Sequence, residues 1–135
     1  VKQVFDEVRN CWVAATAEEV VRQRWIAQMV TVLNYPKAFL VVEKEIKELP
    51  HLQHTGLQFP LRRVDLLSYT QAIKPLLLME FKTEPLSEKM VSQALSYNTF
   101  VKAKAVAVAN GQAIFLQMGG KILSHLPTFE ELLNG

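Results

Sequence analysis

Leu76 to Met79 form an apolar run that leads straight into Glu80, Phe81 and Lys82. A run apolar on both faces reads as a central strand covered on two sides, yet this one ends in a carboxylate and an amine. Burying either charge alone costs several kcal/mol, so each requires a partner. Upstream, Arg62-Arg63-Val64-Asp65-Leu66-Leu67 sets another carboxylate in another strand-like segment. Alternation puts Glu80 and Lys82 on one face and Leu77, Met79 and Phe81 on the other. The connection Thr70-Gln71-Ala72-Ile73-Lys74-Pro75 is short enough for a hairpin, and a loop at Gln71 to Lys74 pairs Tyr69 with Leu76 and Asp65 with Glu80. Directly opposed residues share a face. Two carboxylates so placed share a proton or take a cation, and Mg²⁺ accepts carboxylate oxygens while keeping waters and room for a phosphate. Lys82, on the same face, is then positioned to orient or deprotonate an attacking water, or to neutralise a phosphoryl transition state. The plainer reading is that all three are strand-end charges facing solvent; the apolar run before them weakens it.

These residues resemble the signature of the PD-(D/E)xK nucleases, and more closely the nuclease domain at the N-terminus of type I restriction enzyme R subunits. Val64-Asp65 stands at that family's Pro-Asp or Arg-Asp, and Glu80-Phe81-Lys82 at its Glu-x-Lys. Glu18-Glu19-Val20-Val21-Arg22-Gln23 is similar to its Glu-Glu-x-x-Arg-Gln helix, Asn34-Tyr35-Pro36 to its Gly-Tyr-Pro turn, and Val42-Glu43-Lys44 to its first strand. Gln93-Ala94-Leu95-Ser96-Tyr97 matches the Gln-x-x-x-Tyr motif of the R-subunit branch, and Asn110-Gly111 its Thr-Asn-Gly turn. The ordered set runs from about Glu18 to Met118. Val64, Phe81 and Ala109 depart from the usual proline, cysteine and threonine.

The resemblance implies an α/β fold of the restriction-endonuclease-like kind, a mixed β-sheet flanked by helices. It implies a metal-dependent DNA endonuclease in which Asp65 and Glu80 bind Mg²⁺, with Mn²⁺ able to substitute. Lys82 would assist the attacking water, Gln93 would help orient it, and Glu19 would contribute from the first helix, with Glu18 as the competing match. The implied partners are DNA, other restriction-modification subunits and a second copy of the chain, since one active site cuts one strand. No Gly-x-x-x-x-Gly-Lys-Ser/Thr phosphate loop of the translocating ATPase occurs, so a stand-alone relative or an excised piece is expected.

With 135 residues, half of them apolar, the chain can bury on the order of two thirds of its unfolded surface, as a single domain does. Its core is expected over about 16–118, with 1–15 and 119–135 peripheral. No apolar run approaches the ~20 residues of a membrane helix, and Lys2, Asp6, Glu7 and Arg9 do not suit a signal peptide. The first residue is Val1 rather than methionine, which suggests trimming or the boundary of an excised piece. Cys11 is the only cysteine, which excludes an internal disulfide and a cysteine-based zinc site. A cytoplasmic protein with no membrane partner is expected. A net charge of +2 permits contact with nucleic acid without announcing it.

Along the chain, residues up to Ala15 suggest a short helix. Thr16-Ala17-Glu18-Glu19 reads as a capping box opening a helix to about Leu33, with Val21, Trp25, Met29 and Val32 facing inward. Glu19 is therefore either the cap of the Thr16 amide or a site residue. Phe39 to Leu49 reads as a strand, with Glu43 and Glu45 on a solvent face and Val42 and Ile46 opposite. His51-x-x-His54 lies in a glycine-bearing loop with no third ligand, so a hairpin tip is expected rather than zinc. A helix from Ser87 to Ala103 turns Leu86, Met90, Ala94, Tyr97 and Val101 to the sheet, with Gln93 at the border. Ala105–Ala109 and Ala113–Met118 read as strands joined by Asn110-Gly111-Gln112, whose Asn-Gly is expected to supply positive φ. A strand at Lys121 to Ser124 and a helix capped by Thr128 close the chain. Two other readings compete: a nuclease-fold module that binds nucleic acid or a protein without cutting, and a structural protein with a Lys82–Glu80 ion pair.

Overall fold

In a computed structural model describing residues 2–135, the chain opens with a hairpin of β1 (Gln3–Asp6) and β2 (Cys11–Ala14), followed by α1 (Ala17–Thr31). Then come β3 (Leu40–Glu45), β4 (Arg63–Tyr69), β5 (Pro75–Phe81), α2 (Glu88–Val101), β6 (Ala105–Ala109), β7 (Ile114–Met118), β8 (Lys121–Leu123) and α3 (Phe129–Asn134). Strands β3 to β8 form one sheet in chain order. All neighbours are antiparallel except β5 and β6, whose parallel pairing requires the crossover that α2 supplies. The mixed sheet with packed helices is the fold class the sequence implies. No helix among the described residues is long and apolar enough to cross a membrane.

Both faces of β5 are covered, as its apolar run demands. On one face Leu77, Met79 and Phe81 join Leu66 of β4, Ala107 of β6, and Ile26 and Met29 of α1. On the other, Leu78 and Leu67 pack with Val101 of α2, while Ala94 of the same helix meets Val106 and Val108. Each fully buried Leu or Met side chain there contributes about 1.5–3 kcal/mol, which fixes β5 as the rigid centre. Helix α1 faces the sheet through Ile26 and Met29; Val32, expected inside, is its C-cap and is exposed. Ser87 caps α2 and Thr128 forms a reciprocal capping box with Glu131 on α3.

Three local departures from the sequence expectation have physical causes. The first residues form a hairpin, not a helix: the Asp6 carboxylate accepts the N–H groups of Val8 and Arg9 to make a turn, and Phe5 and Trp12 stack edge-to-face across the strands. The β4–β5 loop spans Thr70–Lys74, one residue longer than expected, with Tyr69 opposite Pro75. A register shift at Ser68/Tyr69 absorbs the extra residue, so Leu66 pairs with Met79; just beyond that pair, Asp65 and Glu80 meet through side-chain bonds to each other's strands. In the β6–β7 turn Asn110 and Gly111 are not at positive φ; instead Asn110 Oδ1 accepts the N–H groups of Gln112 and Ala113 at 2.8 Å.

The largest departure lies in β3. Pairing with β4 joins Val42 to Leu66 and Lys44 to Val64 but skips Glu43 and Asp65 between them. Glu43 sits at φ +55°, a left-handed backbone that a side chain-bearing residue adopts at a cost of about 1–2 kcal/mol. Alternation breaks there. Val42 and Ile46 consequently fall into different apolar clusters, on opposite faces, instead of sharing one. Strand β3 ends at Glu45 and the chain continues as a short 3-10 turn.

Candidate functional site

The break in β3 turns Glu43 out of the ladder toward α1, beside the skipped Asp65. Glu18, in the first turn of α1, completes a group in which one carboxylate oxygen from each residue lies within 4.8 Å of the others. Three elements thus aim oxygen donors at one place. Glu43 was expected on a solvent face; the signal available was its position inside the first-strand motif.

Arg22 stands at the back of this group, buried beneath α1. Its guanidinium grips Glu19 with two nitrogens at 2.9 and 3.0 Å, reaches Glu43 at 2.7 Å and lies 3.8 Å from the Asp65 carboxylate. Glu19 also receives Arg9 Nη2 at 2.7 Å and Gln23 Nε2 at 3.0 Å. Thr16 accepts the Glu19 N–H at 3.2 Å, but the Glu19 carboxylate turns to these cations rather than back to the Thr16 amide. Glu19 therefore lies in an ion network behind the acidic group, and Glu18 is the helix acid that joins the group.

Asp65 and Glu80 satisfy each other's strands. Asp65 Oδ2 accepts the Phe81 N–H at 2.8 Å and Glu80 Oε2 accepts the Asp65 N–H at 3.1 Å. Glu80 is almost fully buried, and its counter-charge is Arg62, whose guanidinium bonds directly to Glu80 Oε1. The Arg62 group stacks 3.7 Å from the centre of the Tyr97 ring, so α2 holds the arginine against β5. Lys82 is half-buried just past β5, its N–H donated to Ala109 O at 2.8 Å, and its charge is near enough to draw down the Glu80 pKa. The ion pair of Glu80 is thus made with Arg62, not with Lys82. Gln93 is exposed on α2 and makes no side-chain hydrogen bond among the described residues.

Charge at the site is uneven. Burial, then the neighbouring Glu80 charge, push the Asp65 carboxyl up to about 7, against the Phe81 N–H and Arg22, which favour its anion. Burial likewise raises Glu80, opposed by the Asp65 N–H and Arg62. Glu19 goes the other way: burial disfavours its charge, but bonds from Arg22, Gln23 and Arg9 outweigh this and bring it to about 2. A set of oxygen-only donors from Glu18, Glu43 and Asp65, carrying more negative charge than Arg22 offsets, fits a hard divalent cation.

The two histidines of the loop between β3 and β4 take no part. His51 bridges the Tyr69 hydroxyl at 2.6 Å and Val101 O at 2.7 Å, tying that loop to the end of α2, and His54 is exposed at φ +65°.

A family model described as the type I restriction enzyme R protein N terminus matches residues 17–127. The match runs from the start of α1 through β8, leaving out the first hairpin, whose Arg9 nonetheless reaches Glu19. No curated protein matches the chain.

Proposed function

Because the chain belongs to the type I restriction enzyme R protein N-terminal family, we propose that it is a metal-dependent endonuclease hydrolysing phosphodiester bonds in DNA. The observation that carries this reading is the convergence of Glu18, Glu43 and Asp65 oxygens within 4.8 Å, beside a second acid, Glu80, and an amine, Lys82. Asp65 and Glu80 would hold the ion, with Glu18 and Glu43 adding oxygens from the helix and the first sheet strand. Mg²⁺ held there, or Mn²⁺ in its place, would polarise a phosphate oxygen and lower the pKa of a water. Lys82 takes or steers the proton of the attacking water. Gln93 orients that water from α2, and Glu19 acts through Arg22 as a positioning residue. Duplex cutting at one site per chain calls for a second copy, and other restriction-modification subunits are the natural protein partners of such a domain in the cytoplasm.

The test is incubation with supercoiled plasmid, linear duplex and single-stranded DNA in Mg²⁺, Mn²⁺ or chelator. Cleavage appears with either metal and disappears with chelator. Lys82→Ala lowers the rate by roughly a hundredfold to ten-thousandfold at an unchanged melting temperature. Undiminished cleavage by that variant removes the lysine from the mechanism. One observation favours a second reading, a module that binds nucleic acid or a protein without cutting: Arg62 and Arg22 already neutralise Glu80 and Glu43. Chelator-insensitive DNA binding with no strand scission in any metal would select it.

A further inference from the structure

We propose that the cleft between α1, the β6–β7 turn and the segment before α3 binds a nucleoside monophosphate unit, free or within a DNA strand. Its volume is about 430 Å³. That falls within the roughly 300–1,000 Å³ typical of small-molecule sites. One wall is apolar, formed by Val21, Trp25, Ile114 and Leu126. The Trp25 indole N–H is already donated to Asn110 O at 2.9 Å, so the ring is held in place and offers the cleft its apolar surface. A planar heterocycle stacks on such a surface.

The polar lining differs from that of the acidic group. No carboxylate borders this cleft; its charged and titratable members are Arg24 and His125. Both are exposed, and neither makes a side-chain hydrogen bond or ion pair among the described residues. A guanidinium with free donors is a phosphate ligand. Gln28 and Gln112, one on each side, are likewise exposed and without side-chain partners among those residues. Each carboxamide presents a donor and an acceptor, the pair that a base edge requires. An apolar wall, amides and a cation together match a base joined to a phosphate better than either part alone. Binding here does not depend on cleavage, so the site stands or falls separately from the hydrolase reading.

The experiment is a nuclear magnetic resonance titration of the unmodified chain with deoxyadenosine 5′-monophosphate, deoxyadenosine, inorganic phosphate and a short single-stranded oligonucleotide. The nucleotide or the oligonucleotide shifts the Trp25 indole N–H and the Gly111 and Gln112 amides saturably. Saturation by the nucleotide identifies the free ligand, and saturation by the oligonucleotide alone identifies the strand. Arg24→Ala, a change at an exposed position, weakens the effective ligand by about tenfold, and Gln112→Glu weakens it through charge repulsion. Absence of saturable shifts with both, or equal affinity for inorganic phosphate alone, would overturn the assignment.

Discussion

Glu19 and Asp65 both contact the same arginine, yet they are charged on opposite terms. Arg22, Arg9 and Gln23 converge on Glu19 and bring its pKa to about 2. Asp65 receives one backbone N–H and a guanidinium at 3.8 Å, and faces Glu80 and Glu18; its pKa stands at about 7. One acid is saturated with donors and serves the scaffold. The other is crowded by like charge and has capacity left for a cation. The difference arises from which elements supply the neighbours: a helix and a hairpin bring arginines to Glu19, whereas β5 and the first turn of α1 bring acids to Asp65.

Breaking the shared element has the largest effect. Arg22→Leu leaves Glu19 and Glu43 without their buried counter-charge and costs about 3–5 kcal/mol in chemical denaturation. An unchanged midpoint would show that Arg9 alone suffices. Removing one acid at a time separates the two regions by sign. Glu19→Gln destabilises at neutral pH by about 2 kcal/mol. The unfolded carboxyl ionises near 4.5 and the folded one near 2, so its contribution is present above pH 4.5 and is lost as pH falls toward 2. The variant should therefore lose that acid limb. Asp65→Asn acts oppositely in the absence of divalent metal. Its unfolded carboxyl ionises near 3.8 and the folded one near 7, so the wild type is favoured below pH 3.8 and loses stability as pH rises to about 7. At pH 8 the variant gains on the order of 1–2 kcal/mol over wild type, as measured by thermal melting. Destabilisation there would mean that Asp65 is already neutralised.

The central strands were legible because their information is local and periodic. Leu76 to Met79 are apolar at every position, and the pairing of Leu66 with Met79 follows from the hydrophobic match even though the loop gained a residue. The caps at Thr16 and Thr128 also follow from short-range chemistry. Glu43 was not legible as a site neighbour, because alternation assumes a regular strand and its φ of +55° breaks that assumption without any glycine to signal it. Arg22 and Arg62 were missed for another reason. A long cation can span from one element to an acid on another, and nothing in the spacing of residues 62 and 80 states that the guanidinium closes on Glu80 rather than facing water. The Arg22–Glu19 pair was missed too, although a spacing of three residues on a helix was the signal that could have found it.

The most direct test of an under-neutralised Asp65 is the melting temperature at pH 8 of wild type and Asp65→Asn, each with saturating Mg²⁺ or with chelator. Mg²⁺ should raise the wild-type midpoint by roughly 5 °C and leave Asp65→Asn where it was. Equal shifts in both proteins, or none in either, would contradict a metal site built on Asp65.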